Sequence, residues 1–238
     1  MAAPGAQRLA GRLALITGAS RGIGAAVAKR FAAEGAQVIL VARTAGALEE
    51  LDDEIRAAGS AATLLPLDLR DFDKIDQMGA ALYERFGRLD VLVGNAGVLG
   101  SLSPLGHFEP KVWGEVMDVN LTANWRLVRA LDPLLRLSQA GRAIFTTCAA
   151  SRDAVPYWGA YAASKAALET MVRIYAGEVA KTNLKVNLVD PGIVRTNLRA
   201  HGFPGEDRAR LKAPEDVTEP FLRAAVADCP HNGEILRS

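Results

Sequence analysis

Between residues 12 and 34 a short apolar run, Leu13-Ala14-Leu15-Ile16-Thr17, gives way to Gly18-Ala19-Ser20-Arg21-Gly22-Ile23-Gly24 and then to a stretch with apolar residues at Val27, Ala28 and Phe31. The unbroken apolar run reads as a strand buried on both faces, and the spacing after it reads as a helix. A glycine turn between the two lets backbone N–H groups and the positive helix end approach a pyrophosphate, which a β-carbon at the glycine positions would block. The spacing is G-x-x-x-G-x-G and not the G-x-G-x-x-G of the general dinucleotide fingerprint. A tight packing turn would also use glycines, so the functional reading rests on the position of the turn between strand and helix.

The same alternation continues along the chain. Strands are expected at 37–42, 61–67, 89–93, 143–148, 184–189 and 233–236, with helices at 45–58, 71–86, 111–137, 161–181 and 214–226. Regular β-α-β order implies a parallel sheet with helices on both faces and a ligand crevice at the carboxyl ends of the strands. The fold expected is a doubly wound, seven-stranded, Rossmann-like α/β sheet of order 3-2-1-4-5-6-7. With 238 residues and no linker-like stretch, residues 10–238 read as one dinucleotide-binding and catalytic domain, preceded by a flexible lead-in at 1–9.

Lys and Arg number 28 against 27 Asp and Glu, a net charge of +1, so no overall field recruits nucleic acid or an anionic membrane. No apolar run approaches the ~18 residues that cross a bilayer, and 1–9 has no signal-peptide core; a cytoplasmic protein is expected. Two cysteines, Cys148 and Cys229, make neither a disulfide framework nor a zinc site, and no metal is expected.

The strand ends carry the candidate ligand contacts. After the second strand come Arg43 and Thr44, with no acidic residue among Val41 to Thr44. An acid there would accept from a free ribose 2′-hydroxyl, whereas arginine suits a 2′-phosphate. Arg43, with Arg21 in the glycine turn, therefore favours NADP(H) over NAD(H). The third strand ends at Asp68-Leu69, where Asp68 serves equally as a ligand contact or as the cap of the next helix. The fourth ends at Asn95-Ala96-Gly97, whose small residues admit a ligand close to the backbone. His107 has no evident partner and reads as a surface or packing residue in place of a catalytic one. Asn120 interrupts the apolar pattern of a helix, and a buried Asn there must have its amide satisfied, commonly by a helix distortion with a trapped water.

Tyr161 and Lys165 stand four residues apart in a helical segment, so their side chains leave one face a turn apart. Tyrosine titrates near pKa 10, and an adjacent ammonium would lower that value and make the phenol a proton-transfer group near neutrality. Beyond this helix, Asp190-Pro191-Gly192-Ile193-Val194-Arg195-Thr196 turns away from the sixth strand, and the polar stretch 201–214 suits a mobile lid. Trp158, Leu99 and residues 201–210 would set specificity.

Taken together, the glycine turn from Thr17 to Gly24, the Asn95-Ala96-Gly97 triplet, the Tyr161-x-x-x-Lys165 pair and the Pro191-Gly192 turn resemble the short-chain dehydrogenase/reductase family over about 10–236. The resemblance implies Tyr161 as general acid/base and Lys165 as the residue that holds the nicotinamide ribose and lowers the tyrosine pKa. It implies Asn120 as the anchor of a water in a proton relay. Gly18, Ser20, Arg21, Gly22, Ile23 and Gly24 would hold the cofactor phosphates, Asp68 and Leu69 the adenine. Asn95, Ala96 and Gly97 would line the cofactor side, and Pro191, Gly192, Ile193 and Thr196 the nicotinamide end. The substrate would be a small carbonyl compound or alcohol, and the assembly a homodimer or homotetramer through the helices near 111–137 and 161–181.

One position departs from that pattern. The family places a serine thirteen residues before its tyrosine, where this chain has Cys148. A thiol is a larger atom and a weaker donor than a hydroxyl. Either Cys148 substitutes imperfectly, or Ser151 or Thr147 takes over, Thr147 being disfavoured by the strand pleat, or the thiol is a buried and inert residue. The alternative to an oxidoreductase is accordingly a weakly catalytic or non-catalytic dinucleotide-binding regulator.

Overall fold

Seven strands form one all-parallel sheet of order β3-β2-β1-β4-β5-β6-β7 in the computed structural model, which describes residues 7–238. They are β1 (Leu13–Thr17), β2 (Gln37–Ala42), β3 (Ala62–Pro66), β4 (Val91–Gly94), β5 (Arg142–Thr146), β6 (Lys185–Asp190) and β7 (Ile235–Arg237). In register, Leu15 of β1 faces Ile39 of β2 on one side and Leu92 of β4 on the other. The doubly wound sheet expected from the β-α-β order is the one observed.

Strand residues alternate between two cores, as a period of two requires. Leu13 and Leu15 join Ile75, Leu127 and Val172 on one face, whereas Ala14 and Ile16 join Val27, Phe31 and Phe221 on the other. The first face is covered by α3 (Phe72–Phe86), α5 (Ala123–Leu137) and α7 (Gly159–Glu178). The second carries α1 (Gly22–Ala33), α2 (Ala45–Ala57) and α9 (Glu219–Ala225). This two-sided burial explains why β1 and β2 read as continuous apolar runs and not as alternating ones. Each fully buried Leu or Phe contributes roughly 2–3 kcal/mol, and Phe31 and Phe221 are both 0 % exposed.

Three expectations change. The start of the chain is not free as far as residue 9: Leu9 is fully buried and Arg8 pairs with Glu34 at 3.1 Å and Glu219 at 3.0 Å, while 1–6 lie outside the described residues. The single helix expected at 111–137 is α4 (Pro110–Met117), a π-turn at Asp118–Thr122 and α5. The cap of α3 is Asp71, which accepts from the Lys74 N–H at 3.3 Å, so Asp68 is left to another role. Between β5 and α7 lies a one-turn helix, α6 (Ala150–Asp153), and beyond β6 comes α8 (Asn197–Gly202). No helix among the described residues is long and apolar enough to cross a membrane.

Candidate active site

The carboxyl ends of β1, β4, β5 and β6 open into a cleft of about 1030 Å³ lined by the glycine turn, Arg43, Asp68, Asn95, Cys148, Tyr161, Lys165 and Thr196. Thr17, at the end of β1, fixes its floor: its hydroxyl accepts from the N–H groups of Asn95 at 3.0 Å and Ala96 at 3.2 Å. Asn95 returns an amide N–H to Thr17 O at 3.1 Å and accepts from Thr146 at 3.3 Å, tying three strand ends together.

The protein itself requires all three glycines. A β-carbon on Gly18 would lie 2.8 Å from Ala96 Cα, and one on Gly24 would lie 2.2 Å from Gly18 O. Gly22 has room, with nothing nearer a β-carbon than the Thr196 methyl at 3.4 Å, but its φ of +59° favours glycine. Helix α1 has no side-chain cap and no acidic residue in its first turn, which leaves its N–H groups and positive end for an anion. Arg21 and Arg43 stand exposed on the rim of the same cleft. The donor set fits a dinucleotide: N–H groups at the helix end for phosphates, guanidinium groups on the rim, and a long cleft floor of small residues. Asp68 lies beside Arg70, which donates to it at 2.9 Å, and this hydrogen bond together with the nearby Arg43 charge holds its carboxyl below the usual range.

Asn120 sits in the π-turn, fully buried. Its amide donates to Val98 O and to Ser164 Oγ, both at 3.0 Å, and its oxygen accepts from Val98 N–H at 2.9 Å. The distortion expected from a buried helical Asn is present, and its amide is satisfied by the protein. Lys165, one turn beyond Tyr161 on α7, donates to Thr146 O at 2.7 Å and lies 5.9 Å from the centre of the Tyr161 ring. Tyr161 is 9 % exposed and Lys165 3 %.

At this point the expected sign of the tyrosine shift fails. Burial pushes the Tyr161 phenol up, the adjacent Cys148 thiol and the Asp190 carboxylate add to the rise, and burial pushes the Lys165 ammonium down. Desolvation opposes both charged forms and is the largest influence on each. The tyrosine shift runs toward the protonated phenol and away from the phenolate that the spacing suggested.

Below the pair lies a cluster that sequence reasoning missed. Glu169, 3 % exposed on α7, accepts from Thr147 Oγ1 at 2.7 Å, from Ser151 Oγ at 2.6 Å, from Arg173 at 3.2 Å and from Arg152. Arg152 bridges onward to Asp190, whose other oxygen accepts from Gly192 N–H at 3.1 Å. Burial works against ionisation of Glu169, but the Ser151 and Thr147 hydroxyls and the two arginines outweigh it and hold the carboxyl low. Ser151 Oγ also lies 2.6 Å from Cys148 O. Both hydroxyls proposed as substitutes for a catalytic serine are thus turned toward Glu169, and Cys148 alone lies against the phenol. The one advance signal was the i, i+4 and i+8 spacing of Tyr161, Lys165 and Glu169 on one helix face; nothing marked Arg152.

His107 is exposed in a short turn, and Ile193 is 56 % exposed at the cleft mouth. Thr196 caps α8 by accepting from Arg199 N–H at 3.2 Å, and Gly202 at the end of that helix packs on Leu99 across the cleft.

A doubly wound sheet with an uncapped glycine turn beside a buried Tyr-Lys pair defines a dinucleotide-binding oxidoreductase. Residues 12–207 match the family model described as short chain dehydrogenase. The chain belongs to the short-chain dehydrogenase/reductase family, NAD(P)-dependent oxidoreductases acting on small molecules. It is 39% identical over 214 residues to the uncharacterized oxidoreductase YciK of Escherichia coli K12, covering 89% of this chain and 84% of the relative. It also resembles the crystal structure of a short chain dehydrogenase from E. coli CFT073 complexed with NADPH (37% identity, TM-score 0.94, 98% of this chain and 99% of that one). One from Shigella flexneri 2a complexed with NADP gives 36% identity and TM-score 0.94, covering 98% of each chain.

Proposed function

We propose that the protein is an NADP(H)-dependent reductase that converts a carbonyl group to an alcohol, with Tyr161 as general acid. The observation that carries this reading is the buried phenol of Tyr161 beside Lys165 at the strand ends where the glycine turn meets the cleft. When bound, the cofactor supplies the hydride. The chain's residues do the rest: Tyr161 donates its hydroxyl proton to the substrate oxygen as negative charge develops there, and Cys148 Sγ–H is the neighbouring donor. Lys165 and the Asn120 region hold the path by which the phenol is reprotonated. In the reduction the phenol acts as the acid, and the reverse oxidation uses the same group deprotonated.

The choice of NADP(H) is supported by Arg21 and Arg43 on the rim and by the absence of an acid at the end of β2, as well as by the NADPH and NADP complexes of the two similar structures. Arg43→Ala is expected to weaken NADPH binding by roughly tenfold to a hundredfold, the worth of a charge-assisted hydrogen bond, and to leave NADH binding nearly unchanged. Titration of intrinsic fluorescence gives both dissociation constants. Tighter NADH binding by the unsubstituted protein would sink the preference.

Cys148 is the observation that favours the second reading, a cofactor-binding regulator with little turnover. Restoring a hydroxyl tests it. Cys148→Ser is expected to keep or raise turnover by up to about tenfold, because O–H is the stronger donor to a developing oxyanion. Loss of activity in that variant contradicts the placement of Cys148 in the donor position, and hydride transfer to none of a panel of aldehydes and ketones supports the regulator. Exposed Trp125 on α5 and Ile174 on α7, at 46 % and 58 %, support a homodimer or homotetramer built through those helices, which sedimentation equilibrium would read as mass.

A further inference from the structure

The outer half of the cleft is built from aromatic rings and a neutralised cation. Trp158 stands edge-on to Tyr161 with ring centres 5.7 Å apart, and Phe203, just past α8, lies against Trp158 at 5.7 Å with a tilt of 35°. Leu99 closes the opposite wall against Gly202. Arg199 is the half-buried cation of this wall, with its guanidinium carbon 3.7 Å over the Phe203 ring. Two of its donors and its charge are committed to one carboxylate: Nε reaches Glu206 Oε2 and Nη2 reaches Oε1, both at 2.7 Å.

A fork-to-fork pair of this kind uses the same two parallel N–H donors that would otherwise clasp a substrate carboxylate. With its charge balanced by Glu206 and its face on Phe203, Arg199 offers an incoming anion little net attraction. A carboxylate entering here would exchange water for aromatic faces beside an ion pair that is already neutral, which is unfavourable, whereas a flat apolar ring gains offset or edge contacts with the aromatic residues. The other cation of this rim, Arg195, is solvent-exposed, as is His201.

We propose that the substrate is an uncharged carbonyl compound carrying a flat apolar ring seated against Trp158 and Phe203, and that Glu206 excludes carboxylate-bearing substrates by occupying Arg199. The inference rests on the reductase reading for its chemistry, but the wall can be tested apart from turnover. Acetophenone and phenylglyoxylate share a ring and a ketone and differ in a methyl against a carboxylate. Calorimetric titration of the NADPH complex of Tyr161→Phe with each probe measures binding without reaction. Acetophenone is expected to bind at least about tenfold more tightly than phenylglyoxylate, Phe203→Ala to weaken acetophenone about tenfold, and Glu206→Gln to narrow the gap between the two probes by about tenfold. Equal or tighter binding of phenylglyoxylate, failure of acetophenone to bind, or a gap unmoved by Glu206→Gln overturns the proposal. Acetophenone that binds but is not reduced by the unsubstituted enzyme would instead remove the reductase reading and leave the wall's preference standing.

Discussion

Tyr161→Phe is expected to lower carbonyl reduction by roughly a hundredfold to ten-thousandfold, the range spanned by a positioned proton donor. The substitution keeps the ring that Trp158 and Lys165 pack against and removes only the hydroxyl, so the fold and NADPH affinity are expected to hold. Turnover, thermal midpoint and cofactor dissociation constant measured on one preparation separate chemistry from folding. A variant within threefold of the unsubstituted enzyme would end the mechanism. The pH profile follows from the raised phenol pKa. Below that value the hydroxyl is a competent acid, so reduction is expected to stay level across neutral pH and to fall only on the alkaline side of the ordinary tyrosine value. Alcohol oxidation, which needs the phenolate, is expected to climb through the same range. A reduction rate that halves between pH 6 and 8 would place the acid elsewhere.

Arg152→Met carries the other large effect. Arg152 joins two carboxylates, Glu169 and Asp190, that are 3 % and 6 % exposed. Removing one member of a buried ion cluster leaves the others uncompensated, at a cost of about 3 kcal/mol when the lost partner is itself partly solvated. The pH dependence gives the loss a signature. In the parent, Glu169 has a depressed pKa, so its contribution is present above the unfolded value and disappears as pH falls through the folded one. Without Arg152 one of the groups that holds the Glu169 carboxyl low is lost, while Ser151, Thr147 and Arg173 remain. The offset between parent and variant is therefore expected to be largest at pH 7–8 and to shrink as pH falls through the carboxylate range. Urea unfolding at three pH values checks this. A parallel offset at all of them would mean that Arg152 acts through packing alone.

The doubly wound sheet was legible because strands buried on both faces leave long apolar runs, as Leu13 to Ile16 and Val38 to Ala42 do, with turn residues between them. The position of the cleft followed from parallel topology. Asn120 was legible as a distortion, since an amide among buried apolar residues leaves few other solutions. The direction of the Tyr161 shift was not, because spacing reports which charges are neighbours and says nothing of how much water surrounds them. Nor was the Arg152, Glu169 and Asp190 cluster: its members come from three elements, and a charged residue in a sequence looks the same whether it faces solvent or another charge. The separate duties of the glycines, Gly18 and Gly24 for close packing and Gly22 for a left-handed backbone, also needed coordinates.

The π-turn at Asp118–Thr122 amounts to one residue more than an α-helix would hold between α4 and α5. Deleting a residue there would let the two helices fuse with Leu127 and Leu131 still on the core face, because the wider turn is what absorbs the extra residue. The narrower turn would instead carry Asn120 away from Val98 and Ser164, which its amide bridges. The segment can exchange side chains but cannot change its length. Among sequences that descend from this one, alignment gaps should therefore collect in the exposed stretch around Pro204 and Gly205 and avoid 117–123 altogether.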